Sequence, residues 1–301
     1  MMWWSVPWHG FAAGDHFRKA MAQPTIEPIT AATLPDFCLF LATNMPVTRP
    51  AVDWEHGLRQ QWLPDHPNFG FILRTEAGDV VGGIGAYYAA RMLHGRPEKF
   101  CNITSWCVLD AYRQQSMKLA MAVISQPGFS FTDFSPTKVV AGTLKFFKFA
   151  ELDDSEAVVL NLPGYGRRAL SAPSDIEAAL QGDALTIYRD HAGFSWLRHV
   201  VVGQPGDWCH VVYKRSTFKR LPTASVVYVG NKAALARHFR QLCTFLLSRG
   251  MVSTLIECRM LAQVPWPAKV RSGFVRKVFF STTVDAADID YLYSERIALD
   301  L

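Results

Sequence analysis

A succession of element signals between residues 69 and 149 constrains this chain more than any other feature. FGFILRT (69–75) reads as a strand, EAGD (76–79) carries turn chemistry, and VVGGIGAYYAARML (80–93) resumes as a strand. The next strand, CNITSWCV, lies within 100–108. VLDAYRQQSMKLAMAVIS (108–125) then passes through a polar turn into a helix from Ser116 to Ser125. Leu119, Ala122 and Val123 make its apolar stripe, with Met117, Met121 and Ile124 on the flank. FSFTDF (129–134) is again strand-like, and SPTKVVAGTLKFFKF (135–149) starts as a helix, with Ser135 as N-cap and Pro136 at the first helical position. Strand, helix, strand in sequence predicts neighbouring strands joined by a crossover, as in α/β folds. Gly82, Gly83 and Gly85 weaken a strand interior and predict a bulge or a close backbone approach.

The flanking sequence extends this pattern. TIEPIT (25–30) has strand character, and LPDFCLFLATNM after Thr33 suits a helix with a proline in its first turn. VDWEHGLRQQWL (52–63) is a short amphipathic segment, opened by Asp53 and closed by Pro64 and Pro67. AVVLNLP (157–163) reads as the end of this unit. ALTIYRD (184–190), CHVVYKRS (209–216) and ASVVYVG (224–230) read as strands. KAALARHFRQLCTFLLSRG (232–250) is the clearest helix: Leu235, Phe239, Leu242 and Leu246 share a face, Asn231 caps it and Gly250 ends it. VSTLIECRML (252–261), VRKVFFST (275–282) and DYLYSERIAL (290–299) are expected as late strands. Strand, helix, strand at 224–261 mirrors 101–134, which predicts a divergent internal duplication. The 301 residues accordingly divide into an extension (1–23), a first domain (24–163) and a second, divergent one (164–301).

Composition narrows the class. Half the residues are apolar and 19% are charged, as in globular chains. No run approaches the roughly 18–20 apolar residues of a membrane span. The N-terminus lacks a basic leader followed by an apolar core, so no signal peptide is expected. Trp3, Trp4 and Trp8 there pack on the body, touch a membrane surface, or belong to an extension ahead of Met21. The six cysteines lie far apart without a Cys-x-x-Cys pair. That pattern predicts neither a metal site nor a disulfide framework, and it fits a reducing cytoplasm. The net charge of +5 is uneven: between Arg189 and Lys277, 15 Lys/Arg meet only Asp190, Asp207 and Glu257. Such a stretch is a solvated basic face, or it meets an anionic partner such as a phosphorylated cofactor, a nucleic acid or an acidic glycolipid.

Together these residues resemble the GNAT (N-acetyltransferase) superfamily. Residues 69–93 look like its second and third strands, with a turn followed by Val-Val-Gly. Residues 101–125 look like its signature, a valine-ending strand, an Arg/Gln-x-x-Gly-x-Gly/Ala loop and a helix. Residues 129–149 look like its fifth strand and following helix. The resemblance spans roughly 24–160, and the second half resembles another, degenerate copy. It implies an α/β fold of tandem GNAT-like mixed-sheet domains. It also implies acetyl-CoA or another acyl-CoA as co-substrate, with an amine as acceptor. Trp106, Cys107 and Val108 would lie along the cofactor arm, and Arg113, Gln114, Gln115, Ser116, Met117 and Lys118 at its pyrophosphate. In the family, backbone N–H groups and the helix N-terminus hold the pyrophosphate. A strand N–H polarises the thioester carbonyl, and a tyrosine protonates the departing thiolate.

The chain departs from the motif at several positions. Ser116 and Lys118 stand where small residues are expected, Leu144 at the usual aromatic acid position and Lys148 at a glycine. Tyr112, Tyr87 and Tyr88 are the substitutes for the acid, and no catalytic residue is assigned. These departures keep two other readings open: a scaffold with the fold and no chemistry, and an aminoacyl-tRNA-dependent transferase suggested by the basic stretch. The absence of interleaved aromatics for base stacking counts against the last. Cys209 and His210 on one strand point to opposite faces and predict core packing over a thiol–imidazole pair. Asp65-His66 and Glu55-His56 are surface pairs or acceptor-side bases. Glu295, with Tyr291 and Tyr293, binds an amine or lies on a half-buried edge strand. Ser135 caps a helix or bonds the cofactor. The sequence leaves the oligomeric state open.

Overall fold

The structure is a computed structural model that describes residues 23–164, 168–273 and 276–300. The expected N-terminal extension and its three tryptophans lie outside the described residues. Along the chain run β1 (Thr25–Pro28), α1 (Leu34–Asn44), α2 (Ala51–Leu58), β2 (Gly70–Arg74), β3 (Val80–Leu93), β4 (Arg96–Val108), α3 (Ser116–Ile124), β5 (Ser130–Asp133), α4 (Lys138–Phe146), β6 (Ala150–Glu151) and β7 (Glu156–Leu160). Then follow α5 (Pro173–Ala179), α6 (Gly182–His191), β8 (Leu197–Gln204), β9 (Asp207–Phe218), β10 (Leu221–Val229), α7 (Lys232–Ser248), β11 (Ser253–Glu257), β12 (Ala268–Arg271), β13 (Val278–Phe280) and α8 (Glu295–Ala298).

Two mixed sheets result. The first has the order β1-β2-β3-β4-β5-β13-β6, the second β8-β9-β10-β11-β7-β12. In each, an antiparallel meander is followed by one parallel pair, β4 with β5 and β10 with β11. The helix between those strands, α3 or α7, makes the crossover that a parallel pair requires. The antiparallel bridge Leu170–Val201 stands where β1 pairs with β2 in the first sheet. The helices α5 and α6 occupy the chain position of α1 and α2, while the counterpart of α4 shrinks to a single 3₁₀ turn, Cys258–Met260. The second sheet therefore repeats the topology of the first in reduced form.

The copies also trade strands. The segment expected to close the first unit, AVVLNLP, instead forms β7 in the second sheet, antiparallel to β11. Strand β13 returns the exchange, pairing with β5 in the first sheet. Hydrogen-bond partners far away in sequence decide this membership, and local pattern carries no information about them.

Each sheet is packed on both faces. On the first, α1 and α2 bring Phe37, Leu41, Trp54 and Leu58 against Ile72 and Tyr87. The helices α3 and α4 bring Leu119, Val123 and Leu144 against the opposite face. On the second sheet, Leu235, Phe239, Leu242 and Leu246 of α7 pack against Val200, Val202 and Val211. Burial of each such side chain contributes about 1.5–3 kcal/mol. Ile176, Leu180 and Tyr188 of α5 and α6 meet Val201 on the other face.

Three element expectations need correction. ALTIYRD lies in α6, not in a strand; Ala184, Leu185, Ile187, Tyr188 and His191 pack inward at helical spacing. DYLYSERIAL is a turn and the short α8, with Tyr291 through Glu295 all buried and Tyr293 at φ +60°. Burial on all sides abolishes the alternation an edge strand would show. The cap of α4 is Thr137, whose hydroxyl accepts from Val140 N–H, so Ser135 is free for another partner. The basic stretch is extensively neutralised: Arg237 and His238 hold Asp207, Arg259 and Lys277 hold Glu257, Arg271 holds Glu156 and Lys214 holds Asp300.

Candidate active site

Strands β4 and β5 part company. They pair only at Phe100–Ser130, Cys101–Phe131 and Asn102–Thr132, yet β4 continues to Val108. At the point of divergence β4 bulges. Thr104 stands opposite Gly85 and Cys107 opposite Gly83, with Ser105 between them at φ +50°. An inserted residue of this kind turns the strand and re-aims its edge. The glycines of β3 serve this region as their pattern predicts. A Cβ at Gly83 would lie 2.4 Å from the Phe37 ring, and one at Gly85 would lie 3.0 Å from Thr104 Cγ2. Their absence lets α1 and the bulge approach the strand.

Beyond Val108 the chain forms a 3₁₀ helix, Asp110–Gln115, running directly into α3. A 3₁₀ turn bends its N–H groups back onto carbonyls three residues earlier. Ser116 N–H accordingly donates to Arg113 O. Arg113, Gln114, Met117 and Lys118 are exposed, Ser116 is half-buried and Gln115 is buried. Arg113 pairs with Asp110 at 2.8 Å. Trp106, Cys107 and Val108 are half-buried along the diverging stretch of β4. Lys148 has a left-handed backbone (φ +67°), a conformation that favours glycine.

The α1–α2 side of the gap is crossed by the chain's own C-terminal segment. Glu295 N–H donates to Asn102 Oδ1 on β4 at 2.9 Å. Its Oε1 accepts from Phe134 N–H at the end of β5 and from Ser135 Oγ–H, both at 3.1 Å. Glu295 is fully buried, and its Oε2 has no partner. Burial pushes its carboxyl up to about 7, and burial plus the Glu295 charge pushes Asp133 up well above the carboxylate range. Tyr87 in the same region is fully buried, with an unpartnered hydroxyl held in its neutral form by burial. Tyr88 faces the other side and bonds Asn68 and Gln126. Tyr112 is half-buried in the core beneath α3.

The second unit repeats this device. Strands β10 and β11 pair at Thr223–Ser253, Ala224–Thr254 and Ser225–Leu255, and β10 bulges after Val226. Tyr291 N–H donates to Val227 O at 3.3 Å, and its hydroxyl bonds Glu257 at the end of β11. One short segment, 291–295, thus crosses both gaps. The strand-face picture of Tyr291, Tyr293 and Glu295 gives way to three separate anchors, since Tyr293 bonds Asp190.

Two cavities flank the segment. One of about 440 Å³ is lined by Arg49, Asp53, His56, Trp196, Leu299 and Asp300. Another, of about 680 Å³, opens between the units at the start of α7. The other sequence candidates are dispersed. Glu55 pairs with Arg59, His66 bonds Asn68 O, and Asp65 is exposed. Cys209 faces α7 while His210 stacks with His199 on the α6 side. Among the described residues no cluster of His, Cys, Asp or Glu could hold a metal ion. No helix among them is long and apolar enough to cross a membrane.

No family model and no curated protein matches the sequence. The fold does have solved counterparts. A GCN5-related N-acetyltransferase from Anabaena variabilis superposes with a TM-score of 0.58 at 11% identity, covering 85% of this chain and 72% of its own. Another GCN5-related N-acetyltransferase, from Kribbella flavida, gives 0.57 at 13% identity, covering 86% of this chain and 71% of its own. Two meanders, each with a parallel crossover, a diverging strand pair and a bulge at the point of divergence, identify the chain as having the N-acetyltransferase (GNAT) superfamily fold, in two interlocked copies.

Proposed function

We propose that this chain is an acyl-CoA-dependent N-acyltransferase of the reducing cytoplasm. The donor is acetyl-CoA or another acyl-CoA, and the acceptor is an amine of a small molecule such as an amino-sugar or amino-acid derivative. The observation that carries the reading is the separation of β4 from β5 beyond Asn102–Thr132, with the bulge at Ser105. An unpaired strand edge of this kind pairs with the amides of a pantetheine arm, here along Trp106, Cys107 and Val108. A backbone N–H at the bulge then polarises the thioester carbonyl as negative charge develops on it.

The fit to the rest of the cofactor differs from a glycine-rich cradle. The N–H groups of the 3₁₀ helix are turned inward, so side chains must meet the pyrophosphate. Arg113, Gln114, Ser116 and Lys118 are the candidates, with Gln115 and Met117 framing the turn. The acceptor approaches on the α1–α2 side, where Asp53 lines the smaller cavity beside Arg49 and offers a carboxylate to a cationic amine, while Asp300 there is already held by Lys214. Glu295, fully buried in the segment that crosses the gap and outside that cavity's lining, carries the free carboxylate oxygen we assign as proton acceptor: its Oε2 takes a proton from the ammonium, and the neutral amine attacks the carbonyl carbon. The C–S bond breaks, the thiolate gains the amine's second proton, and amide and free coenzyme A leave. Tyr87, whose buried hydroxyl has no partner, is the candidate to pass that proton.

A scaffold without chemistry is the second reading, favoured by the closed 3₁₀ turn and by the segment crossing the gap. Calorimetric titration with coenzyme A and acyl-CoAs separates the two. Heat that weakens in Lys118→Glu combined with Arg113→Ala is expected; no heat and no thermal shift at millimolar ligand would overturn acyl-CoA binding. The tRNA-dependent alternative draws less support, because acids across the chain neutralise much of the basic stretch.

A further inference from the structure

A cavity of about 420 Å³ opens at the edge of the second sheet, where β8 begins and α7 ends. Its volume falls in the range of small-ligand sites. Three arginines meet there. Arg198 stands opposite Tyr213 across the β8–β9 pair, and Arg215 lies two residues further along β9. Strand alternation therefore sets Arg198, Tyr213 and Arg215 on one face. Arg249, the C-cap of α7, joins them. Its Nη2 donates to Ser171 Oγ at 3.2 Å, and its guanidinium lies over the Phe245 ring at 5.2 Å. Arg215 Nη2 donates to Arg249 O at 3.1 Å, and Arg198 Nη1 donates to Ser195 O and Leu197 O at 2.7 and 3.0 Å. Each guanidinium is thus anchored by neutral acceptors, with most of its donors unused.

These charges differ from the rest of the basic stretch. Lys214, Arg237, Arg259, Arg271 and Lys277 each hold a carboxylate, but Arg198, Arg215 and Arg249 pair with none among the described residues. No described aspartate or glutamate lines the cavity. Glu177, on α5, is held by Arg189 at 3.8 Å. The carbonyls at the end of α7 are also taken: Phe245 O and Leu246 O accept from Arg249 N–H, and Leu247 O from Gly250 N–H. Tyr213 is 3% exposed, and its hydroxyl has no partner among the described residues. Burial raises that hydroxyl's pKa while the Arg249, Arg215 and Arg198 charges draw it back, so all three act on one spot. His199 adds no donor, since its Nδ1 meets His210 Nε2 and its own Nε2 is sealed. Like charges gathered this way repel, and a bound anion removes the repulsion. Phosphate fits best: three guanidinium forks match its three terminal oxygens and near-double charge, whereas a carboxylate offers two oxygens and one charge.

We propose that this pocket binds the phosphate group of a small molecule. It lies at the paired end of β10 and β11, away from the gap that opens beyond Ser225–Leu255. The three guanidinium groups hold the phosphate, and Phe245 and Met251 flank the body attached to it. Calorimetric titration of the full chain with phenyl phosphate, inorganic phosphate and benzoate tests this. Phenyl phosphate is expected to bind more tightly than benzoate. Its affinity should fall about tenfold or more in Arg215→Gln and in Arg249→Gln, both exposed positions outside the core. Tighter binding of phenyl phosphate than of inorganic phosphate identifies an esterified ligand, and equal binding identifies free phosphate. Lys118→Glu, at the proposed coenzyme A site, is expected to leave the affinity unchanged, so this site stands or falls independently of the acyltransferase reading. No heat from either phosphate at millimolar concentration overturns the proposal. So does benzoate binding as tightly as phenyl phosphate, or phosphate binding that Lys118→Glu removes or that both arginine variants retain in full.

Discussion

Glu295 carries a pH signature that can be read without knowing any substrate. Burial raises its carboxyl from 4.5 to about 7, and the groups facing it are Asp133 at the end of β5, Tyr87 on β3 and the adjacent Arg296. The folded state thus keeps a proton that the unfolded chain releases. The stability tied to that proton is complete below pH 4.5 and is lost as pH rises through about 7. Urea denaturation across this window is expected to show wild type losing stability more steeply than Glu295→Gln, an isosteric change that retains an acceptor for Phe134 N–H. Parallel curves would mean that the carboxyl does not titrate there. A second residue tests how tightly the same segment is seated. A methyl at Gly57 would meet Leu299 Cδ2 at 2.4 Å and Ala298 O at 3.2 Å. Gly57→Ala should therefore cost about 1–3 kcal/mol by overpacking, measured as a lowered urea midpoint. An unchanged midpoint would show that the segment moves aside freely. At this scale the sequence was legible where the cause was local. Glycines 82, 83 and 85 announced a close approach because a missing Cβ is itself the cause. Glu295 stood out as a possible amine ligand, but its contacts with β4 and β5 depend on docking across more than 150 positions, which no local pattern encodes.

Among the elements, α7 was the plainest in sequence because four turns let its period emerge, and both Asn231 and the apolar stripe fall where they were expected. The segment ALTIYRD was opaque for the opposite reason. Seven residues containing Thr, Ile and Tyr suit a strand as well as a helix, and only packing against β8 and β9 decides. That packing has a testable consequence at the end of α6. His191 is fully buried, its ring stacked on Trp62 at 5.8 Å and edge-on to Tyr293 at 4.5 Å. Its Nδ1 contacts Ile187 O at 2.8 Å, while Nε2 has no partner. Burial holds the imidazole down to about 3, with the nearby His199 and Arg91 acting in the same direction. A group depressed in the folded state contributes stability that is present above the unfolded value of 6.5 and is lost as pH falls toward 3. His191→Phe keeps a ring in the stack and cannot take up the proton. Its stability curve is expected to flatten between pH 6.5 and 4 relative to wild type. An unchanged acid limb would assign the loss to His199 and His210 instead, and would remove α6 as the acid-sensitive element.

At the scale of the whole molecule, the exchange of β7 and β13 makes each unit depend on the other. A piece ending at residue 163 contains β7 without the sheet that β7 completes. It lacks β13, so β5 would lose its antiparallel neighbour and β6 its one strand pairing among the described residues. The complementary piece, 164–301, lacks β7, which pairs with both β11 and β12. The C-terminal segment adds a second tie: it is bonded to β10 through Tyr291 and to β4 and β5 through Glu295. Unpaired strand edges next to exposed apolar surface favour aggregation. Residues 24–163 expressed alone are therefore expected to aggregate or to lack a cooperative thermal transition. Co-expressed with 164–301, they should copurify at equal stoichiometry and regain the near-ultraviolet dichroism of the intact protein. The proposed acyl-CoA cleft should return with it, since the second piece crosses that cleft through Glu295. If 24–163 alone melted cooperatively at the temperature of the intact chain, the strand exchange would be ornamental, and each unit would have to be judged as an independent domain.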